Sequence, residues 1–230
     1  MVADSDSDRV YLALQGGEAL ELVEASDELS EPTVGELLED EASPANSALF
    51  LAGSTPSVAW SSEGTILFSD LAQRASPVVV AEEVSGTFDV SGSPEHVAFA
   101  YSFRAGDIER VRYRSFDTAG EARLSPQDVQ RAPASLRDAS IALFGGGYAL
   151  TYRSLISRDF SDNTIRIAFM SVTGLVVYQG DVAVTSRAGG PTDLVADDEG
   201  AVALAWFDTD DVKVHIRRLQ CPVALNLCNQ

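Results

Sequence analysis

The sequence is poor in the residue types that most often form an active site. Among 230 residues there are two cysteines, two histidines and a single lysine, Lys213. No GxSxG turn that would carry a serine nucleophile occurs, and neither does a glycine-rich phosphate loop or a CxxC pair. His96 and His215 have no nucleophile or metal partner near them in the sequence. The sequence therefore predicts no catalytic residue, no metal and no cofactor.

Long apolar runs are also missing. No stretch of 18 or more apolar residues occurs, so no helix is expected to cross a membrane. The opening letters, MVADSDSD, contain neither the basic region nor the apolar core of a signal peptide. Residues 1–8 are expected to be a disordered N-terminal tail.

Basic residues are scarce, with 16 against 35 acidic ones and a formal net charge of −19. Such a surface repels phosphates, which argues against nucleic acid or an anionic membrane as the partner. The first 50 residues hold 13 of the acids and one base, Arg9. Residues 26–47 are therefore predicted to be a solvated, partly disordered insert, or one to two helical turns after Pro32, whose partner would be cationic.

An internal repeat carries most of the hydrophobicity. Gly92, Gly146 and Gly200 are spaced 54 residues apart, each in a turn between two short apolar runs. The segments IERVRYRSFDTAG from Ile108 and DNTIRIAFMSVTG from Asp162 keep the same spacing. A period of about 50 residues built from strand-like segments is typical of propeller blades, which must stack on copies of themselves.

Five apolar hairpins can be recognised, and we expect each to form the inner two strands of one blade. Their turns are marked by glycines separated by steps of 47, 28, 54 and 54 residues: Gly17, Gly64, Gly92, Gly146 and Gly200. The prediction is an all-β, five-bladed β-propeller over residues 9–220. The short second step predicts that the second blade is abbreviated.

The repeating unit resembles the β-propeller repeats of large secreted or lipid-anchored bacterial proteins. It consists of an apolar strand, a glycine turn, a strand that ends in an aromatic residue, a longer strand and a second glycine turn; the aromatic residues are Phe68, Tyr101, Tyr152 and Trp206. The resemblance is to an architecture and covers about residues 9–220. It implies an exported or cell-surface, monomeric binding or scaffolding module with a protein or glycan partner.

Two alternatives stay open. One is a glycan-binding or glycoside-hydrolysing propeller, which would need carboxylates at its axis. Asp89 and Asp193 begin the first strands of the third and fifth hairpins and are the candidates, although solvated strand ends also explain them. The other is an incomplete ring that a partner chain completes.

Two further features bear on metals and on the cellular compartment. Asp208 and Asp210 alternate as calcium ligands do, but a full DxDxDG loop is missing, so turn formation explains them. Cys221 and Cys228 are predicted to form a disulfide that closes the C-terminal tail, residues 221–230, which implies an oxidising compartment. Free thiols and half of a metal site are the competing interpretations.

Overall fold

The structure is a computed structural model in which every assigned element is a β-strand or a turn. It describes the following residues: 2–4, 9–16, 19–26, 33–38, 46–71, 77–129, 135–144, 147–155, 163–185, 192–196, 201–208 and 211–220. Within these ranges 19 strands form five antiparallel sheets. No helix long and apolar enough to span a membrane occurs in them. The predicted all-β fold is confirmed.

The chain divides into two compact units. The first contains Met1–Glu83 together with two short turn segments, Gly92–Val97 and Asp117–Glu121. It holds two four-stranded sheets in which the strands follow one another in chain order. Their strands are β1 (Val2–Asp4), β2 (Arg9–Gly16), β3 (Ala19–Ser26), β4 (Thr33–Leu38), β5 (Asn46–Ala52), β6 (Thr55–Ser62), β7 (Thr65–Asp70) and β8 (Val78–Ala81).

The second unit holds the other three sheets, apart from the turn segments just named. Two of these sheets have four strands and the last has three among the described residues. The strands are β9 (Val84–Gly92), β10 (His96–Ala105), β11 (Ile108–Asp117), β12 (Gln127–Asp128), β13 (Ser135–Phe144), β14 (Gly147–Leu155), β15 (Asn163–Ser171), β16 (Val176–Thr185), β17 (Asp193–Ala196), β18 (Ala201–Asp208) and β19 (Lys213–Gln220).

Two segments that were expected to lack regular structure contribute strands to the first sheet. Residues 2–4, within the predicted tail, form β1 and pair with β2. Residues 33–38, within the predicted insert at 26–47, form β4 and pair with β3, with Val23 opposite Val34. The density of acidic residues around TVGELL favoured disorder, but its threonine, valine and leucine residues are compatible with a strand. The predicted helix or disorder is thus corrected for residues 33–38 and for residues 46 and 47, which begin β5, whereas residues 27–32 and 39–45 of the predicted insert lie outside the described residues.

The glycine markers turn out to belong to two different kinds of turn. Gly92, Gly146 and Gly200 fall between the first and second strands of their sheets, whereas Gly17 and Gly64 fall between the second and third. The equivalent residue in the second sheet is Gly53, between β5 and β6. The 28-residue step therefore compared unlike turns. The second sheet has all four strands and is abbreviated only in their length, 4 to 8 residues.

The sheet formed by β13–β16 is buried on both faces. Tyr148 and Leu150 of β14 belong to an apolar cluster that includes Tyr113 of β11, and the Tyr113 and Tyr148 ring centroids lie 5.6 Å apart. Ala149, which points to the opposite face, belongs to a second cluster that includes Leu204 of β18. Face-to-face packing of successive sheets explains why the second strands of the repeat alternate alanine with larger residues.

Two glycines of β9 give a matched test of the close approach between the end of β9 and Leu51 of β5. A Cβ atom on Gly92 would overlap the backbone carbonyl oxygen of Leu51, whereas one on Gly86 would meet only the Ser102 Cβ at 3.3 Å. We expect Gly92→Ala to lower the free energy of unfolding by about 1–3 kcal/mol, because a backbone atom has to move. Gly86→Ala is expected to change it by less than about 1 kcal/mol. Urea unfolding measures both, and equal effects would contradict the close approach at Gly92.

Candidate functional site

Asp89, one of the two predicted axial carboxylates, lies on β9 and connects it to the first strand of the next sheet, β13. Its Oδ2 atom accepts hydrogen bonds from the Ser140 hydroxyl at 2.7 Å and from the Ile141 amide at 2.8 Å. Its Oδ1 atom accepts one from the Val90 amide at 2.9 Å. Both carboxylate oxygens are therefore engaged in bonds within the protein.

A second side chain of β9 makes the same kind of contact two residues further on. The Ser91 hydroxyl accepts a hydrogen bond from the Leu143 amide at 3.0 Å. Since side chains of a strand alternate between its faces, Asp89 and Ser91 point the same way. Because β13 is the edge strand of its sheet, the amides of Ile141 and Leu143 would otherwise need water or another strand as acceptor. Two polar side chains of β9 thus satisfy two alternate amides of β13.

The local backbone of β13 is shaped for this contact. The pairing of β13 with β14 shifts register between Arg137 and Ser140, and Asp138 within that bulge has a φ of 52°. Aspartate tolerates the left-handed region better than most residues. The Asp138 carboxylate forms an ion pair with Arg153 of β14, which holds the bulge against the sheet. Ser140 and Ile141 follow immediately and face Asp89.

The electrostatics of Asp89 reflect its burial. Desolvation raises the pKa of Asp89 above its usual value near 3.8, and the hydrogen bonds from Ile141, Ser140 and Val90 partly oppose that shift. The negative charge of Asp193 raises this pKa further. A carboxyl in such surroundings takes up a proton more readily than a solvated one.

Asp193, the second predicted carboxylate, opens β17 and is exposed. It pairs across the sheet with Ala205 and lies near enough to Asp89 for its charge to act on it. The structure thus brings the two predicted acids into electrostatic range. Their assignment to an axial binding cavity stays a prediction.

A polar contact also joins β14 to the residue before β17. The hydroxyls of Thr192 and Thr151 lie 3.0 Å apart and both threonines are buried. The Thr192 hydroxyl also lies 3.3 Å from the backbone oxygen of Asp138, as a donor. The residue before β17 is therefore bonded to both β13 and β14, and β9 is bonded to β13 through the Asp89 side chain.

Sequence reasoning missed the role of Ser140 and Ser91. Nothing in the sequence around Ser140 indicates that its hydroxyl donates a hydrogen bond to Asp89. One sequence feature could have indicated the part that β9 plays in the contact: in the segment FDVSG, Asp89 and Ser91 alternate with Phe88 and Val90, which places two polar side chains on the same face of a strand. Cys221, Cys228 and Asp210 lie outside the described residues, so the predicted disulfide stays a prediction.

No protein-family model matches the chain, and no curated protein matches it in sequence. Several solved structures share its fold. Hydrazine synthase from Kuenenia stuttgartiensis is 16% identical, with a TM-score of 0.60 over 94% of this chain and 70% of that one. A chain of the nidogen/laminin complex is 10% identical, with a TM-score of 0.53 over 97% of this chain and 79% of that one.

A third similar structure is the endo-arabinase from Bacteroides thetaiotaomicron. It is 11% identical, with a TM-score of 0.52 over 96% of this chain and 92% of that one. With the five antiparallel sheets, these similarities show that the chain has a β-propeller fold. A count of five blades stays a prediction. The similar structures include both an endo-arabinase and a chain of the nidogen/laminin complex, so the fold alone assigns no activity.

The polar link between β9 and β13 can be tested by removing its acceptor. Asp89→Ala leaves the Ile141 amide and the Ser140 hydroxyl without their partner, so we expect the free energy of unfolding at neutral pH to fall by about 1–3 kcal/mol. Asp193→Ala removes an exposed carboxylate from a neighbouring strand and is expected to change it by less than about 0.5 kcal/mol. Chemical denaturation compares the two, and equal losses would contradict a structural role for Asp89.

The stability difference between the wild-type protein and Asp89→Ala is expected to depend on pH. Because the pKa of Asp89 is higher in the folded protein than its usual 3.8, the folded state holds this proton more tightly than the unfolded chain. The stability contributed by the proton is complete below the unfolded pKa and is lost as the pH rises through the folded one. The stability difference between wild type and Asp89→Ala is therefore expected to be larger near pH 3.5 than near pH 7. A difference that instead grows with pH would show that the hydrogen bonds to the ionised Asp89 carboxylate outweigh the effect of its desolvation.

Proposed function

We propose that this propeller is a non-enzymatic binding or scaffolding module of an exported or cell-surface bacterial protein, and that it binds a protein partner through the β17–β19 sheet. The observation that carries the proposal is an exposed apolar face on that sheet. The two sides of the sheet differ sharply in exposure.

One face of the β17–β19 sheet is buried. Val202 and Leu204 of β18 are both fully buried, and Leu219 of β19, which pairs with Val202, packs against the same cluster. The residues between them on each strand point to the opposite face. That opposite face is where a soluble sheet with one free side normally carries polar residues.

Most residues of the opposite face are apolar, with Asp193 and Arg218 as its charged members among the described residues. Val214 and Ile216 of β19 are 66% and 74% exposed, and they pair with Phe207 and Ala205 of β18. Val195 of β17, 60% exposed, pairs with Ala203 on the same side. Exposed valine, isoleucine and phenylalanine side by side on one sheet face are typical of a surface that contacts another protein.

The engagement of Asp89 supports a role without catalysis. Its two oxygens accept bonds from Ser140, Ile141 and Val90, so the carboxylate acts as a connector between strands. A general acid must instead present an oxygen to its substrate. The acidic surface, with a formal charge of −19, supports a partner other than nucleic acid. A monomer and a disulfide-bearing, exported chain are part of the same proposal.

A glycan-directed function is the second candidate. It is favoured by the raised pKa of Asp89 within range of the charge of Asp193, since glycosidic hydrolysis uses one carboxyl that holds its proton and a second carboxyl near it. The likeness to an endo-arabinase extends over 96% of this chain but concerns the fold alone. This candidate requires that Asp89 exchange a bond to β13 for a bond to a sugar.

The proposed binding surface can be tested with variants that replace its apolar side chains by a polar, β-branched one. Val214→Thr combined with Ile216→Thr keeps β-branched side chains while making the face polar. The control is Val184→Thr on β16, an equally exposed valine of another sheet. Proteins from the cell-envelope fraction are captured on each variant, and the captured partner is then purified and titrated against them. We expect the double variant to lose at least about tenfold in affinity, worth about 1.4 kcal/mol, while the control keeps wild-type affinity.

Two outcomes would contradict the proposed protein-binding role. One is a partner that binds the double variant and the control equally well. The other is release of sugars from arabinan or another polysaccharide by the wild type, with loss of this activity in Asp89→Asn and Asp193→Asn. The second outcome would support the glycan-directed candidate.

A further inference from the structure

We propose that Asp208, Asp211 and His215 form a binding site for a divalent transition-metal ion such as Zn²⁺. The three residues lie around the turn between β18 and β19. One ligand atom from each, two carboxylate oxygens and an imidazole nitrogen, lie within 4.8 Å of one another. A zinc ion holds nitrogen and oxygen ligands at about 2.0–2.2 Å, so small side-chain rotations would bring all three to one ion.

The antiparallel pairing of β18 and β19 produces this convergence. Trp206 pairs with His215, and Asp208 pairs with Lys213. Trp206 and Asp208 are two residues apart on β18, so they and His215 share one face of the hairpin. Asp211 comes from the turn itself, and its two carboxylate oxygens lie 3.1 and 3.2 Å from Nε2 of His215. Strand register and turn together thus bring three donors to one end of the sheet.

The imidazole is held in position before any ion binds. The rings of His215 and Trp206 are stacked, with centroids 5.3 Å apart and planes 13° from parallel. Stacking on the larger ring restricts rotation of the imidazole and keeps Nε2 directed at the carboxylates. A ligand that is already oriented loses less entropy when it binds. The same contact places an indole next to the proposed ion, which supplies an optical signal.

The donor set selects the class of metal. Calcium prefers six to eight oxygen ligands, whereas one imidazole with two carboxylates suits zinc and its first-row neighbours. Lys213 brings a positive charge to the site: its Nζ lies 3.8 Å from an Asp211 carboxylate oxygen, and its side chain is 71% exposed. That side chain is free to swing into solvent when an ion takes its place. The proposal rests on these three ligands, because residues 209 and 210 lie outside the described part of the turn.

Isothermal titration with Zn²⁺ tests the site on the full chain. The background for all variants is Cys221→Ser with Cys228→Ser, which removes the thiols as competing zinc ligands. We expect saturable 1:1 binding in this background and a loss of about tenfold or more in affinity for His215→Gln and for Asp208→Asn. His96→Gln, which changes the other histidine, is expected to bind as the background does. Ni²⁺ should quench tryptophan fluorescence in the background and much less in His215→Gln.

The possible results separate clearly. Absence of saturable binding in the background protein would overturn the proposal, and so would equal binding by the His215→Gln and His96→Gln variants. Binding that occurs only when the cysteines are present would assign the metal to the tail instead. Circular dichroism on each variant shows whether the fold is intact, and Asp208→Asn provides a second measure if His215→Gln unfolds.

Discussion

The hydrogen bonds that satisfy the edge amides of β13 are the constraint on which the second unit depends. A sheet that presents its first strand to a neighbouring sheet leaves amide groups pointing outward, and an unpaired buried amide costs about as much as a lost hydrogen bond. Asp89 and Ser91 of β9 accept from Ile141 and Leu143. These contacts fix how far β9 and β13 can move apart, and they let both faces of the following sheet pack against apolar neighbours.

The sheets of the second unit also differ in how many of their faces are buried. The sheet of β13–β16 is buried on both faces by the clusters around Tyr148 and Leu204. The β17–β19 sheet shares only the second cluster, so its other face keeps Val214 and Ile216 exposed. The proposed protein contact and the proposed metal site therefore both lie on the last sheet. They use different residues, which allows each to be changed without the other.

The sequence predicted the strands well, because alternation and short buried runs are local features. It predicted the register of the repeat less well, since glycine occurs both in turns between first and second strands and in turns between second and third strands. Gly53 and Gly64 both have positive φ, 66° and 79°, so either could have marked the second sheet. The role of Asp89 was out of reach, because its partners are 51 and 52 residues away and depend on which strands become neighbours. The strand β4 was not predicted because acidic residues surround it in the sequence. Its pairing with β3 is a contact between strands that the local sequence does not indicate.

The proposed metal ligands could not be predicted from the sequence for the same reason. Asp208 and His215 were each noted in the sequence, but the match of Trp206 with His215 that brings them together exists only in the folded hairpin. In the sequence, turn formation was a sufficient explanation for the alternating acids Asp208 and Asp210. Local patterns thus identify elements, and long-range register decides which side chains meet.

Native-state hydrogen exchange at Ile141 tests most directly whether side chains of β9 satisfy the edge of β13. The Ile141 and Leu143 amides are expected to exchange as slowly as amides within the β14–β15 ladder, because each donates to a side chain of β9. In Asp89→Ala, the Ile141 amide should lose its protection while Leu143 keeps it. Fast exchange of Ile141 in the wild-type protein, at the rate of a turn amide such as Thr173, would contradict this arrangement.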